Sequence, residues 1–127
     1  MYYKNYQTRV KLNAKAKNKY GACRTAGFDS KKEYRRFLEL ELLEKAGEVS
    51  NIEKQVTFNF YGKNGNKICS YKADFVYLEK DGTKVIEDVK APITCTPVFR
   101  LKWKLLEDMF CDEIKKGDIK LLINMSR

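Results

Sequence analysis

Residues 71–90 read Y-K-A-D-F-V-Y-L-E-K-D-G-T-K-V-I-E-D-V-K, and the rest of the chain can be understood as a scaffold for this segment. Two short apolar runs, Phe75–Leu78 and Thr83–Val89, lie on either side of Asp81-Gly82, a residue pair that favours a tight β-hairpin turn. The pattern therefore predicts two antiparallel strands that are joined at residues 81 and 82.

Three charged residues lie near the open end of this predicted hairpin. Asp74 begins the first run, and Asp88 and Lys90 stand at the end of the second. Because side chains alternate between the two faces of a strand, Asp88 and Lys90 project from one face. Carboxylate oxygens are the ligands that Mg²⁺ takes from proteins. The sequence therefore predicts that two carboxylates and an ammonium group converge at a divalent-cation site.

The composition indicates one globular domain with a basic surface. The chain has 127 residues, of which 43% are hydrophobic and 34% are charged, and 26 Lys and Arg outnumber 17 Asp and Glu to give a net charge of +9. A basic excess of this size favours nucleic acid or an anionic membrane as partner. No basic amphipathic helix or apolar anchor supports the membrane, so we expect nucleic acid and no membrane contact.

The absence of histidine excludes several kinds of chemistry. It removes Ser-His-Asp and Cys-His nucleophiles and histidine-containing zinc sites. Four cysteines are scattered without a C-x-x-C pair, at Cys23, Cys69, Cys95 and Cys111. This spacing favours reduced cysteines in a cytoplasm, which would be that of the host cell if the protein is phage-encoded.

Residues 1–27 are predicted to form a basic N-terminal arm, and residues 28–127 the folded domain. The arm contains no Asp or Glu, and its cations are Lys4, Arg9, Lys11, Lys15, Lys17, Lys19 and Arg24. Such basic blocks commonly lie along phosphates, and the most plausible DNA contacts are Lys11, Lys15, Lys17, Lys19 and Arg24. The alternative is a tail that only aids solubility.

A first helix is predicted over residues 31–46. Its apolar stripe is Tyr34, Phe37, Leu38, Leu42 and Leu43. Ser30 followed three residues later by Glu33 fits a capping box. Glu33 therefore has two interpretations: it completes the cap, or it projects toward the sheet and joins the metal site.

The remaining chain predicts two further β-segments, a second helix and a last strand. Residues 52–61 and 67–75 form a meander before the hairpin, and residues 119–124 form the last strand. Thr96-Pro97 predicts a helix start. The apolar stripe of that helix is Val98, Leu101, Leu105 and Met109, and it is widened by Trp103, Leu106 and Phe110. Lys102 and Lys104 on that helix either touch DNA or only face solvent. The expected class is α/β of the α+β type, in the order α-β-β-β-α-β.

This order, with Asp74 in A-D-F and Asp88-Val89-Lys90 in E-D-V-K, resembles the core of the PD-(D/E)XK nuclease superfamily. Within it the layout is most similar to small phage proteins of unassigned function and to the phage endonuclease I family, which cuts four-way and other branched DNA. The resemblance spans about residues 28–124. Ala73 stands where the motif has proline, a position that sets the backbone and binds no metal.

The resemblance implies a restriction-endonuclease-like core with a mixed sheet flanked by helices. It also implies that Asp74, Asp88, the Val89 carbonyl and Glu33 bind Mg²⁺ or Mn²⁺, and that Lys90 positions a water and stabilises negative charge. Glu87 is the rival to Asp88, but strand alternation sends it to the opposite face from Lys90.

The leading hypothesis is a metal-dependent endodeoxyribonuclease that acts on branched or structured DNA, in phage recombination or DNA processing. One alternative is a nicking or site-specific nuclease of the same fold, and another is a DNA-binding protein without turnover. A homodimer would suit symmetrical cutting of two strands, although the sequence leaves the oligomeric state open.

Overall fold

The computed structural model describes residues 6–8 and 30–125, and it confirms a mixed α+β protein. The elements in chain order are β1 (Tyr6–Thr8), α1 (Lys31–Lys45), β2 (Val49–Tyr61), β3 (Lys67–Glu79), β4 (Lys84–Val89), α2 (Pro97–Met109), α3 (Cys111–Lys116) and β5 (Ile119–Asn124). A single 3₁₀ turn, Pro92–Thr94, lies between β4 and α2.

The five strands form one sheet in the spatial order β1-β2-β3-β4-β5. Strands β1 to β4 pair antiparallel in turn, and β5 pairs with β4 in parallel. The predicted hairpin is confirmed, because β3 and β4 turn at Asp81 and Gly82. Gly82 has φ 91°, which L side chains rarely adopt, and the Thr83 N–H donates to Asp81 Oδ1 at 3.0 Å.

Part of the predicted N-terminal arm belongs to the sheet. Within residues 1–27, the strand β1 pairs antiparallel with β2, and Tyr6 lies opposite Phe58. The arm cations proposed to touch DNA lie outside the described residues, and they are Lys11, Lys15, Lys17, Lys19 and Arg24.

Two apolar clusters cover the two faces of the sheet. The α2-side cluster is Val56, Phe58, Phe60, Tyr71, Ala73, Val76, Ile86, Phe99, Trp103, Leu106, Met109 and Phe110. The α1-side cluster is Leu40, Val49, Phe75, Tyr77, Val85 and Val89. Because helices pack on both faces, every residue of β4 after Lys84 is buried, as expected for a central strand.

The predicted stripe of α1 is partly wrong. Leu40 is completely buried, whereas Leu38 and Leu42 are 41% and 66% exposed. Tyr34, Phe37 and Leu43 do pack against the α1-side cluster. Leu40 lies on the opposite side of the helix from Leu38 and Leu42, since positions two apart are about 200° apart around an α-helix.

The start of α2 is confirmed, but its predicted stripe also needs correction. Thr96 Oγ1 accepts from the Phe99 N–H at 3.1 Å, with proline at the first helical position. Val98 and Leu101 are about 60% exposed. Trp103, Leu106 and Met109 are buried against the sheet as predicted, and Phe99, which the prediction left out, is buried with them.

Among the described residues, none of the helices combines the length and apolar character that a membrane span requires.

The described cysteines carry free thiols. Cys69 and Cys95 are partly buried and Cys111 is exposed.

Candidate metal site

The regular alternation of β3 is interrupted at Asp74. Ala73 packs in the α2-side cluster and Phe75 in the α1-side cluster, although residues two apart on a regular strand share a face. On the paired strand β2, the side chains of Lys54 and Val56 also point to different faces, and Gln55 between them has φ 57°, in the left-handed region. The alternation of side chains is therefore interrupted at the same level in both strands, and Asp74 lies at that level.

Asp74 is held by the neighbouring strand. Its Oδ2 accepts from the Val89 N–H at 2.8 Å. Burial raises the pKa of the Asp74 carboxyl, the negative charges of Glu33 and Asp88 raise it further, and the Val89 hydrogen bond opposes the rise. Three carboxylates from three different elements thus interact at one place, as the sequence predicted for Asp74 and Asp88.

Asp88 and Lys90 lie on one face of the sheet, as strand alternation predicted. Lys90 Nζ is 3.5 Å from Asp88 Oδ1 and 4.4 Å above the ring of Phe99. Asp88 is almost completely buried, and its Oδ2 accepts a hydrogen bond from the Tyr71 hydroxyl. Its Oδ1 is buried and accepts no hydrogen bond from the described residues.

Glu33 fulfils part of the cap and also faces the site. Its N–H donates to Ser30 Oγ at 3.1 Å, which confirms the helix start. Its side chain is buried, at 8% exposure, and its charge acts on Asp74. The structure therefore adds an electrostatic contact with the site to the capping interpretation.

Glu87 lies on the opposite face from Asp88, again as alternation predicted. Arg36 contacts both of its oxygens, with Nε 2.7 Å from Oε2 and Nη2 3.0 Å from Oε1. The Tyr77 hydroxyl donates to Oε1 at 2.7 Å and the Asn124 amide to Oε2 at 3.1 Å. Glu87 is thus a fully buried carboxylate whose oxygens are saturated by protein donors.

The remaining predicted site residues differ in how far their side chains are buried. The Val89 side chain is buried on the α1 side, and its N–H holds Asp74. Lys102 is partly buried and Lys104 is exposed. Within residues 30–125, no group of three or more His, Cys, Asp or Glu side chains is arranged so that it could hold a metal ion.

Sequence reasoning missed the residues that support the site. Tyr71, Phe99 and Arg36 were not singled out, although each contacts a charged residue of β4 or the lysine just beyond it. Alternation gave no usable signal for Tyr71, because a regular strand would place it on the face of Phe75 and Glu87, and only the interruption at Asp74 brings it to the face of Asp88. Arg36 is 51 residues from Glu87 in the chain, and no local pattern indicates that pairing.

The fold and the carboxylate cluster define a small α+β protein with an acidic site at the open end of a hairpin. The chain belongs to the family described as protein of unknown function (DUF1064), whose model matches residues 9–122. No curated protein and no solved structure matches the chain.

Proposed function

We propose that the protein is a metal-dependent endonuclease that hydrolyses phosphodiester bonds in branched or otherwise structured DNA. The observation that carries the proposal is that Asp74 and Asp88 lie on paired strands beside Lys90, with the charge of Glu33 acting on Asp74. Nuclease members of the PD-(D/E)XK superfamily, which the chain resembles, use such a set. The resemblance therefore supports the same chemistry here.

The described residues fit a divalent cation. Buried like charges are unfavourable unless they are neutralised, and the raised pKa of Asp74 reflects that repulsion. Asp88 Oδ1 accepts no hydrogen bond from the described residues, and its contact with Lys90 Nζ is long, at 3.5 Å, so this oxygen can still bind a cation. Mg²⁺ usually takes only one or two carboxylates and completes its shell with water and substrate phosphate, so two aspartates suffice.

Each residue of the site has a defined task in this proposal. A bound Mg²⁺ or Mn²⁺ would polarise the scissile phosphate and lower the pKa of a bound water. Asp74 and Asp88 hold the cation, with the Val89 carbonyl and Glu33 as further oxygen donors. Lys90 would position the attacking water and donate to a phosphate oxygen, which stabilises the negative charge that develops on the phosphate, while the proton of the water passes to solvent. No histidine is needed.

The charge distribution supports DNA as the partner. Residues 30–125 contain 18 Lys and Arg against 16 Asp and Glu, whereas residues 1–29 contain seven cations and one acid. Most of the excess charge therefore lies in the N-terminal segment, which supports its proposed path along phosphates. A twofold dimer acting in a reduced cytoplasm would bring two sites to the two strands.

The test of chemistry is cleavage of labelled linear duplex, single-stranded and four-way-junction DNA in Mg²⁺ or in EDTA. We expect cutting in Mg²⁺ alone, with the junction preferred, and its loss in Asp74→Asn and Asp88→Asn. Asp108→Asn, an exposed site on α2, is the matched control. Binding without metal-dependent cutting would overturn the proposal in favour of a DNA-binding protein, and nicking of linear duplex would favour the alternative nuclease.

The test of DNA as the partner removes four of the seven positive charges of the arm without changing the residues of β1. Replacing Lys11, Lys15, Lys17 and Lys19 by Gln should reduce the slope of log K against log salt by about 0.7–0.9 for each phosphate that is no longer neutralised. Cleavage at saturating DNA should persist, because the carboxylates and Lys90 are unchanged. An unchanged slope would show that the DNA contacts lie elsewhere, with Lys102 and Lys104 as the next candidates.

A further inference from the structure

The Tyr71 side chain is fixed in the core directly below the site. Tyr71 is 6% exposed, and its ring centroid lies 5.9 Å from that of Trp103 and 6.2 Å from that of Phe99. From this position its hydroxyl donates to Asp88 Oδ2. A buried phenol packed against two adjoining aromatic rings has little rotational freedom, so the position of the donor is determined by the core.

The two oxygens of Asp88 therefore have different surroundings. Oδ2 accepts the hydrogen bond from Tyr71, whereas Oδ1 accepts none from the described residues and lies 3.5 Å from Lys90 Nζ. Without the Tyr71 hydroxyl, the carboxylate can rotate about its last bond, and Oδ2 becomes a buried oxygen that accepts no hydrogen bond from the described residues. The hydroxyl thus selects which oxygen is turned toward Lys90.

We propose that Tyr71 is a positioning residue: it holds Asp88 Oδ2 so that Oδ1 is presented to a hard divalent cation. This inference rests on the proposed function, because it assigns the support of the same metal site. Hydrogen bonds to a ligating carboxylate fix its orientation, and their loss typically costs about 10- to 100-fold in metal affinity or activity. Burial and the charge of Asp88 also raise the pKa of Tyr71, so the phenol stays a donor.

The molecule contains a matched control on the other face of the same strand pair. Tyr77 is 4% exposed, and its hydroxyl donates to Glu87 Oε1 at 2.7 Å. Tyr71→Phe and Tyr77→Phe each remove one buried phenol from one buried carboxylate of β4. Glu87 retains Arg36 and Asn124, and the proposed site does not include it. The two variants therefore separate loss of a hydrogen bond from loss of metal-site geometry.

The experiment is a Mn²⁺ titration in the cold, followed by the EPR signal of free Mn²⁺, on full-length wild-type protein, both phenylalanine variants and Asp88→Asn. Circular dichroism and melting curves first establish that each is folded. We expect Tyr71→Phe to bind Mn²⁺ about 10- to 100-fold more weakly and Tyr77→Phe to bind as wild type does. Cleavage should show the same split, with the loss in Tyr71→Phe partly recovered at high Mn²⁺.

A double-mutant cycle gives a second readout. Adding Tyr71→Phe to Asp88→Asn should change Mn²⁺ binding no further, since Tyr71 acts only through that carboxylate. Equal Mn²⁺ affinity in Tyr71→Phe and wild type, or equal losses in the two phenylalanine variants, would overturn the inference alone. Wild-type protein that binds Mn²⁺ no better than Asp88→Asn would instead overturn the proposed metal site.

Discussion

Glu87 and Asp88 are neighbours on one strand, both are buried, and their surroundings are opposite. On the α1 face, Glu87 meets the guanidinium of Arg36 and the donors of Tyr77 and Asn124. On the α2 face, Asp88 has one phenol and an ammonium group at 3.5 Å. Hydrogen-bond donors therefore satisfy both oxygens of Glu87, whereas Asp88 Oδ1 accepts no hydrogen bond from the described residues.

The difference indicates how to separate a structural carboxylate from a functional one. A buried charge that protein donors fully satisfy joins elements together, here α1, β3, β4 and β5. A buried carboxylate with one oxygen that accepts no hydrogen bond is unfavourable by itself. Such a carboxylate is expected where a bound ligand supplies the missing partner. Burial alone would have ranked the two residues equally.

We expect the strongest loss of cleavage when the charge of Asp88 is removed. Asp88→Asn should reduce cleavage by about 10²–10³-fold, as expected when one group that stabilises transition-state charge is removed. It should leave stability at or above that of wild type, because the variant no longer buries that charge.

Glu87→Gln should do the reverse. It leaves Arg36 without its buried partner and should lower the free energy of unfolding by about 2–4 kcal/mol, in the lower part of the range for a broken buried pair, since Arg36 retains Glu39. Urea unfolding and single-turnover cleavage in the cold measure both quantities. Equal loss of cleavage in folded Asp88→Asn and folded Glu87→Gln would show that the two carboxylates do not differ in their role in cleavage.

A smaller effect is expected at Glu33, which lies on α1 and contributes its charge to the site. Glu33→Gln keeps the backbone bond to Ser30, and glutamine also serves in capping boxes. We expect cleavage to fall by about 10- to 100-fold with an unchanged melting temperature. Glu39→Gln, exposed on the same helix, is the control. Unchanged cleavage would assign Glu33 to the cap alone.

The smallest effect concerns the pH dependence of stability. Because the pKa of Asp74 is raised, the folded protein holds that proton more tightly than the unfolded chain does. The stability of wild type should therefore decrease as pH rises from about 4, near the ordinary Asp pKa, through the raised value. In EDTA near neutral pH, Asp74→Asn should melt a few degrees higher, for a gain of about 1 kcal/mol.

Two further measurements decide whether Asp74 is the cause. The advantage of Asp74→Asn should disappear at acid pH, where the wild-type carboxyl is protonated in both states. Mn²⁺ should raise the melting temperature of wild type and leave that of the variant unchanged. A variant less stable than wild type at neutral pH would show that the carboxylate is fully compensated within the protein.

Local patterns predicted the hairpin and the placement of its charged residues. The turn at Asp81-Gly82 predicts the hairpin. The two-residue period of β4 places Lys90 and Asp88 on one face of the sheet and Glu87 on the opposite face. Both depend on residues close in sequence. The restriction-endonuclease-like core and the site roles remain predictions from the resemblance.

The sequence could not predict which leucines of α1 face the sheet. In F-L-E-L-E-L-L-E, both Leu40 and the Leu38–Leu42 pair fit a helical period, and docking against the sheet selected Leu40. The same ambiguity misplaced Val98 and Leu101 on α2. Arg36 and Asn124 were missed because their contacts with Glu87 join residues 51 and 37 positions apart.

The parallel pairing of β5 with β4 has a consequence for the order of folding. The antiparallel hairpin of β3 and β4 needs only a short loop, whereas β5 can join only after α2 and α3 have crossed the sheet. Asn124 then accepts the Lys90 N–H at 2.9 Å and donates to Glu87. We therefore expect the backbone of Lys90 to be fixed only when β5 docks, so a chain that has formed the hairpin and its aspartates alone still lacks a positioned lysine.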